Sequence, residues 1–205
     1  SNDTSTTHTF TSAGNYTATL TTSGICGVDI YTFDIDVLPI PIIDIVPNPL
    51  NLCSGESVTF TNNSSTDGTY YWDFGPSASI PSSTSFDPGS ITFTGIGTQT
   101  ISFAINYAGC INSDTVYIDV NPIPIPTFTV APPTGCTPLP VSFTNNTIDT
   151  PGTTYDWTYG NGNTSNGYIP DDQIYLSGIG DSIYIIQLIV QSAAGCIDSI
   201  SQTVT

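Results

Sequence analysis

The chain repeats itself internally, and the period of the repeat limits how much polypeptide each folded unit can use. Gly24-Ile25-Cys26, Gly109-Cys110 and Gly195-Cys196 place three cysteines in one local setting, 84 and 86 residues apart. Phe10-Thr11-Ser12-Ala13-Gly14 aligns with Phe93-Thr94-Gly95-Ile96-Gly97 and again with Leu176-Ser177-Gly178-Ile179-Gly180, at two steps of 83. Val58-Thr59-Phe60-Thr61-Asn62-Asn63-Ser64 aligns with Val141-Ser142-Phe143-Thr144-Asn145-Asn146-Thr147 at 83, and Trp72 with Trp157 at 85. The register predicts two complete modules, residues 40–121 and 122–205, preceded by the second half of another, residues 1–39. We expect such a chain to be a segment of a longer repeat protein, with any targeting signal outside it.

Within each module the apolar residues alternate with period two. Phe33, Ile35 and Val37 share one face of Tyr31–Val37, and the stretches Thr100–Ile105 and Thr115–Val120 follow the same pattern. This pattern predicts half-buried antiparallel strands. Gly, Pro, Asn and Asp punctuate them, and no stretch carries a 3.6-residue period. Short strands with turn signals every 8–12 residues predict an all-β sandwich.

Charge removes whole classes of function. The 205 residues contain 17 acidic side chains and no Lys or Arg, for a formal net charge of -17. Phosphate-backbone binding needs cations, so nucleic acid is excluded as a partner. Direct contact with an anionic membrane is excluded for the same reason, as is a P-loop with its lysine. Acidic chains are often disordered. Here charged residues are only 8% against 38% hydrophobic and 11% aromatic, so there is enough apolar surface to build a core. No apolar run reaches the length of a membrane-spanning helix.

The five cysteines point to an oxidising compartment. Each complete module has one cysteine before its Phe60 or Phe143 strand and one in its Gly-Cys turn. The repeat predicts the disulfides Cys53–Cys110 and Cys136–Cys196, with Cys26 unpaired because its partner would precede residue 1. A four-cysteine metal site is the rival reading, but no CxxC spacing occurs and His8 is the only histidine.

At Tyr71-Trp72-Asp73-Phe74-Gly75 and Tyr155-Asp156-Trp157-Thr158-Tyr159-Gly160-Asn161-Gly162 the chain resembles the PKD (polycystic kidney disease) domain, with its Trp-Asp-Phe-Gly-Asp-Gly signature on an immunoglobulin-like sandwich. Together with Val58–Asn62 and the terminal Gly-Cys turn, it resembles the PKD-like repeats of giant cell-surface proteins. Those are exported by type IX secretion in gliding bacteria. Pro76 and Asn161 stand where the signature has its second acid. The resemblance implies tandem immunoglobulin-like sandwiches arranged end to end. Trp72, Phe74, Trp157 and Tyr159 would be their core signature. It further implies an extracellular, cell-surface setting. The partners would be further PKD-like modules of the same chain, surface polysaccharide or other cell-surface proteins. The proline-alternating segments Leu38–Ile42 and Asn121–Pro126 favour extended, semi-rigid connections.

No catalytic constellation emerges. His8 lies in the incomplete module, and the carboxylate pairs Asp34/Asp36 and Asp171/Asp172 do not recur in the other modules. The expectation is therefore no enzyme and no cofactor. Weak or structural Ca2+ at the loop acids Asp67, Asp73, Asp156, Asp171 and Asp172 stays open. Trp72 and Trp157 can be read as core or as sugar-stacking residues, and their mid-strand setting favours core. Asn15, Asn62, Asn63, Asn145 and Asn163 begin Asn-x-Ser/Thr sequons. The resemblance also implies O-glycosylation at Asp-Ser/Thr-aliphatic triplets, here at Thr115, Ser182 and Ser199. The predicted function is a non-catalytic structural rod of a secreted adhesin or extracellular filament. The alternative is an accessory spacer or carbohydrate-binding module of a secreted hydrolase.

Overall fold

The computed structural model of the protein describes residues 5–176 and 182–205. The described residues form seventeen strands and no helix. They run β1 (Gly14–Gly24), β2 (Gly27–Val37), β3 (Ile45–Asn48), β4 (Asn51–Cys53), β5 (Ser57–Asn62), β6 (Thr69–Asp73), β7 (Ser82–Ser83), β8 (Ser90–Thr92), β9 (Gly97–Tyr107), β10 (Cys110–Asn121), β11 (Phe128–Ala131), β12 (Leu139–Asn145), β13 (Thr154–Thr158), β14 (Thr164–Asn166), β15 (Gln173–Tyr175), β16 (Tyr184–Gln191) and β17 (Ile197–Val204). The β-branched and aromatic content of the alternating stretches supplies residues that pack well on a pleated surface.

Strands β3 to β10 make one two-layer sandwich. One sheet has the order β4-β10-β9-β6-β7 and the other β3-β5-β8. Their inner faces close a single core containing Val58, Phe60, Trp72, Phe74, Ile91, Phe93, Ile101, Phe103, Ile105 and Ile118. The period-two alternation accounts for this directly: in β9, Ile101, Phe103 and Ile105 are all buried, and the residues between them are not. The aromatic centre is dense. Trp72 lies 4.2 Å from Phe103 and 5.4 Å from Phe60, centroid to centroid, and stacks on Phe74 two residues along.

Strands β11 to β17 make a second sandwich with sheets β11-β12-β15 and β14-β13-β16-β17. Its core holds Phe128, Val141, Phe143, Tyr155, Trp157, Tyr159, Tyr175, Ile186, Leu188 and Val190. Trp157 stacks on Tyr159 as Trp72 does on Phe74. Each indole N–H donates to a backbone carbonyl, Trp72 to Ser85 at 3.0 Å and Trp157 to Gly167 at 3.2 Å. Both rings are thus core residues with a satisfied polar edge, and neither offers a face on which a sugar could stack. After Trp157 the chain passes Gly160 at φ +73, where a Cβ would come within 2.7 Å of the Ile185 carbonyl oxygen. Only glycine fits so close a backbone approach.

Residues 14–37 form the antiparallel hairpin β1-β2. Leu20, Val28, Ile30, Tyr31 and Phe33 are exposed there, and the hairpin contributes no residue to either core.

The disulfide differs from the predicted pairing. Cys53 is bonded to Cys196, with 5.6 Å between their Cα atoms, and Cys26, Cys110 and Cys136 are free. The expected Cys53–Cys110 bond fails on strand geometry. Cys53 pairs in register with Asn121 at the end of β10, whereas Cys110 begins β10. Eleven residues of extended strand separate those ends by about 36 Å, against the roughly 4–7 Å between Cα atoms that a disulfide requires. Cys136–Cys196 fails in the same way. Gly135 N–H donates to the Thr205 carbonyl at 3.1 Å, which places Cys136 beside the C-terminal end of β17, while Cys196 immediately precedes its start. Within each sandwich the two cysteines occupy opposite poles.

Candidate functional site

The two poles meet at the Cys53–Cys196 bond, and this joint is the best-defined site in the molecule. On the first sandwich, Cys53 opens the turn Cys53-Ser54-Gly55-Glu56. Glu56 N–H donates to the Cys53 carbonyl at 2.9 Å, and Cys53 N–H donates to the Glu56 carboxylate at 2.8 Å. Ser54 N–H donates to the Asn121 carbonyl at 2.9 Å, Gly55 N–H to the Phe93 carbonyl at 2.7 Å and the Ser54 hydroxyl to the Thr94 carbonyl at 2.8 Å. These bonds tie the turn to two strand ends and hold the sulfur in place.

On the second sandwich, Cys196 follows the turn between β16 and β17. Gly195 takes φ +88, which an L side chain rarely adopts. Its N–H donates to the Ser192 carbonyl at 2.9 Å, and the Ser192 hydroxyl accepts from Cys196 N–H at 3.2 Å. Cys196 is buried, only 1% exposed. Ile123, from the six residues between β10 and β11, joins Cys53–Glu56 and Gly195–Ile197 in lining a small cleft of about 450 Å³ at the joint. A disulfide, a tied turn and a short connection all resist relative displacement of the two sandwiches.

A second construction underlies two of the Asn-x-Ser/Thr motifs, those at Asn62 and Asn145. The Asn62 side-chain N–H donates to the Phe86 carbonyl at 2.7 Å, and its oxygen accepts from Ser64 N–H at 3.1 Å. The Ser64 hydroxyl accepts from Asp44 N–H at 2.9 Å. The second sandwich repeats each bond: Asn145 to the Tyr168 carbonyl at 2.9 Å, Thr147 N–H to Asn145 at 3.0 Å, and Thr127 N–H to the Thr147 hydroxyl at 3.0 Å. Ser64, Asn145 and Thr147 are buried. At Asn62 and Asn145 the Asn-x-Ser/Thr pattern is a clasp that locks the entering strand to β5 or β12, and its side-chain nitrogen is already engaged. The signal available in the sequence was its recurrence at 83 residues in a strand-ending position.

The remaining candidates stand apart from one another. His8 is exposed and lies edge-on to Phe10 at 4.7 Å. Asp34 and Asp36 are exposed on β2, where Asp34 accepts from the Thr17 hydroxyl at 2.8 Å. The described residues contain no group of three or more His, Cys, Asp or Glu side chains placed to hold a metal. Thr115 and Ser199 are exposed on strands, and Ser182 is half-buried next to Asp181, which lies outside the described residues. Asn161, which stands where the resemblance would have an acid, donates to Gln173 at 3.1 Å and accepts from Asn163 N–H at 3.0 Å. In this sandwich the position is a loop brace. Burial, and then the hydrogen bond to Asp149, push the Tyr155 hydroxyl up to about 12; burial does the same to Tyr175.

Two sheets packed face to face around an aromatic core, in each sandwich, define an all-β sandwich protein. No protein-family model and no curated protein matches the chain. Among solved structures it is similar to the fibronectin(III)-like modules of Clostridium thermocellum CbhA, at 15% identity over 78% of this chain and 93% of that one, with a TM-score of 0.38. It is also similar to murine CEACAM1b, at 13% identity over 80% and 98%, TM-score 0.35. A third is the N-terminal eight Ig domains of Down Syndrome Cell Adhesion Molecule, at 13% identity over 94% and 27%, TM-score 0.46.

Proposed function

We propose that the chain is a non-catalytic structural stalk of a secreted, cell-surface repeat protein of the PKD-like kind, serving an adhesin or extracellular filament. The observation that carries this reading is the Cys53–Cys196 bond, which runs from the pole where one sandwich ends to the opposite pole of the next. A joint of this kind transmits force between sandwiches; it does not create a substrate cleft. The absence of Lys and Arg fits a spacer that repels anionic surfaces and similar chains. Surface polysaccharide or other surface proteins would be met by parts of the parent protein that such a stalk projects.

Small-angle scattering of the oxidised chain tests the proposal. The twelve residues of β10 span about 40 Å at ~3.3 Å each, so two sandwiches in line give a radius of gyration of roughly 25–30 Å. A value near 17 Å, that of a compact globule of this length, would overturn the stalk.

A further inference from the structure

The five cysteines fall into two structural roles. Cys26 and Cys196 sit in the connections between paired antiparallel strands, β1 to β2 and β16 to β17, and Cys110 opens β10 directly after the β9–β10 turn. Gly109 at φ +90 and Gly195 at φ +88 shape two of those turns alike. Cys53 and Cys136 sit at the other pole, where a turn is tied to the end of the sandwich's last strand. Ser54 N–H donates to the Asn121 carbonyl at 2.9 Å, and Gly135 N–H donates to the Thr205 carbonyl at 3.1 Å. In the structure one pole cysteine, Cys53, holds one turn cysteine, Cys196. The pole cysteine of the second sandwich, Cys136, is exposed and free. It borders a largely apolar cleft of about 750 Å³ whose walls include Leu139, Tyr175, Ile183, Tyr184 and Val204, with no charged side chain among the described residues that line it.

We propose that Cys136 and this cleft form a covalent docking site for the Gly-Cys turn of a further sandwich of the same repeat. Successive sandwiches are then stapled pole to turn, and no disulfide lies within a sandwich. The occupant follows from the joint already present, where the uncharged Gly195-Cys196-Ile197 turn sits against Cys53. The largely apolar cleft at Cys136 suits the same kind of turn. Cys26 and Cys110 are turn cysteines by position and offer themselves to a pole cysteine of another repeat. In the bond-forming step the Cys136 thiolate and a turn thiol become a disulfide. Counting the Cys136 thiolate with the proton it has already given up, the pair loses two protons and two electrons in all, and a disulfide oxidant such as oxidised glutathione takes up both protons and both electrons to become two thiols. The inference extends the stalk reading but stands on the cysteine positions, the existing joint and the cleft, not on the shape of the particle.

The test extends the full chain by a second copy of residues 122–205, with that copy's own Cys136 replaced by serine, placed directly after Thr205, which preserves the native connection. The oxidised protein is mapped without reduction. Trypsin is unsuitable because there is no Lys or Arg, so chymotrypsin and an Asp-directed protease are used. The expected result is two bonds, Cys53–Cys196 and Cys136 to the appended copy's Cys196, with loss of Cys136 alkylation relative to the parent chain. Cys136→Ser in the extended chain should leave the appended Cys196 alkylatable and the Cys53–Cys196 bond intact. That bond serves as the internal control for folding and oxidation. Cys136 remaining alkylatable while Cys53–Cys196 forms would overturn the proposal, as would pairing of the appended cysteine with Cys26 or Cys110. Failure of Cys53–Cys196 itself would remove the template on which the proposal rests. A compact particle with both bonds formed would sink the stalk and leave the pairing rule standing.

Discussion

The hairpins β1-β2 and β9-β10 are paired in the same register, 83 residues apart, yet they live in different environments. Gly14 faces Val37 as Gly97 faces Val120, and Ala18 faces Phe33 as Ile101 faces Val116. In β9 the apolar face is fully buried under the β3-β5-β8 sheet, with Phe103 at 0% exposure; Leu20, at the matching place in β1, is 57% exposed. Pairing is therefore a local property that the strand sequence and its turn specify. Burial is supplied by a second sheet built from residues earlier in the module. A two-stranded hairpin in water is marginal without that cover.

Amide hydrogen exchange should show the largest contrast. We expect β9-β10 amides to exchange roughly a thousandfold or more slowly than their β1-β2 counterparts, because opening the former requires unfolding a core. Equal rates in the two hairpins would break the comparison. Core truncation comes next. Trp72→Ala should cost the first sandwich about 3–5 kcal/mol, while Phe33→Ala in the hairpin should cost less than about 0.5 kcal/mol of global stability, read by denaturant melts. Gly160→Ala should destabilise the second sandwich by about 1–3 kcal/mol, through the Ile185 backbone clash and the positive φ. Gly27→Ala, in the hairpin and with nothing within 4 Å of the new Cβ, should leave both sandwich melts unchanged.

Alkali should act on the second sandwich specifically. The Tyr155 and Tyr175 hydroxyls are pushed from 10.0 to about 12 in the fold. The folded state thus holds their protons more tightly than the unfolded chain does. Their contribution is complete below pH 10 and is lost as pH rises through 12. Tyrosinate absorbance followed together with circular dichroism should show ionisation coupled to loss of the β16-β17 sandwich. Ionisation with the fold intact would contradict this. The smallest effect is expected from salt. With a net charge of -17 and no basic partner, added NaCl should raise both sandwich melting temperatures by a few degrees through screening. It should change the hairpin little, since that region has no cooperative transition to shift.

Much of this architecture is legible in the sequence. Alternation at Thr100–Ile105 and Thr115–Val120 marked β9 and β10, and the sandwich class followed from strand length and turn spacing. The mid-strand positions of Trp72 and Trp157 pointed inward, and both are buried. The clasp at Asn62 and Asn145 was visible only as a recurring motif. Its hydrogen bonds reach Phe86 and Tyr168, more than twenty residues away in sequence, a distance that no local pattern encodes.

The cysteines show most sharply where sequence reading stops. The repeat alone establishes that each complete module carries one cysteine ahead of its Phe60 or Phe143 strand and one in its hairpin turn, because a repeat preserves position. A repeat cannot say whether a bond closes within one unit or between neighbours, since both patterns have the same spacing. Tertiary structure decided it through the length and direction of β10 and β17. Each is a fully extended strand that carries its two module cysteines to opposite ends of a sandwich, beyond the reach of a disulfide. Only the turn of the adjacent sandwich brings a second sulfur to Cys53.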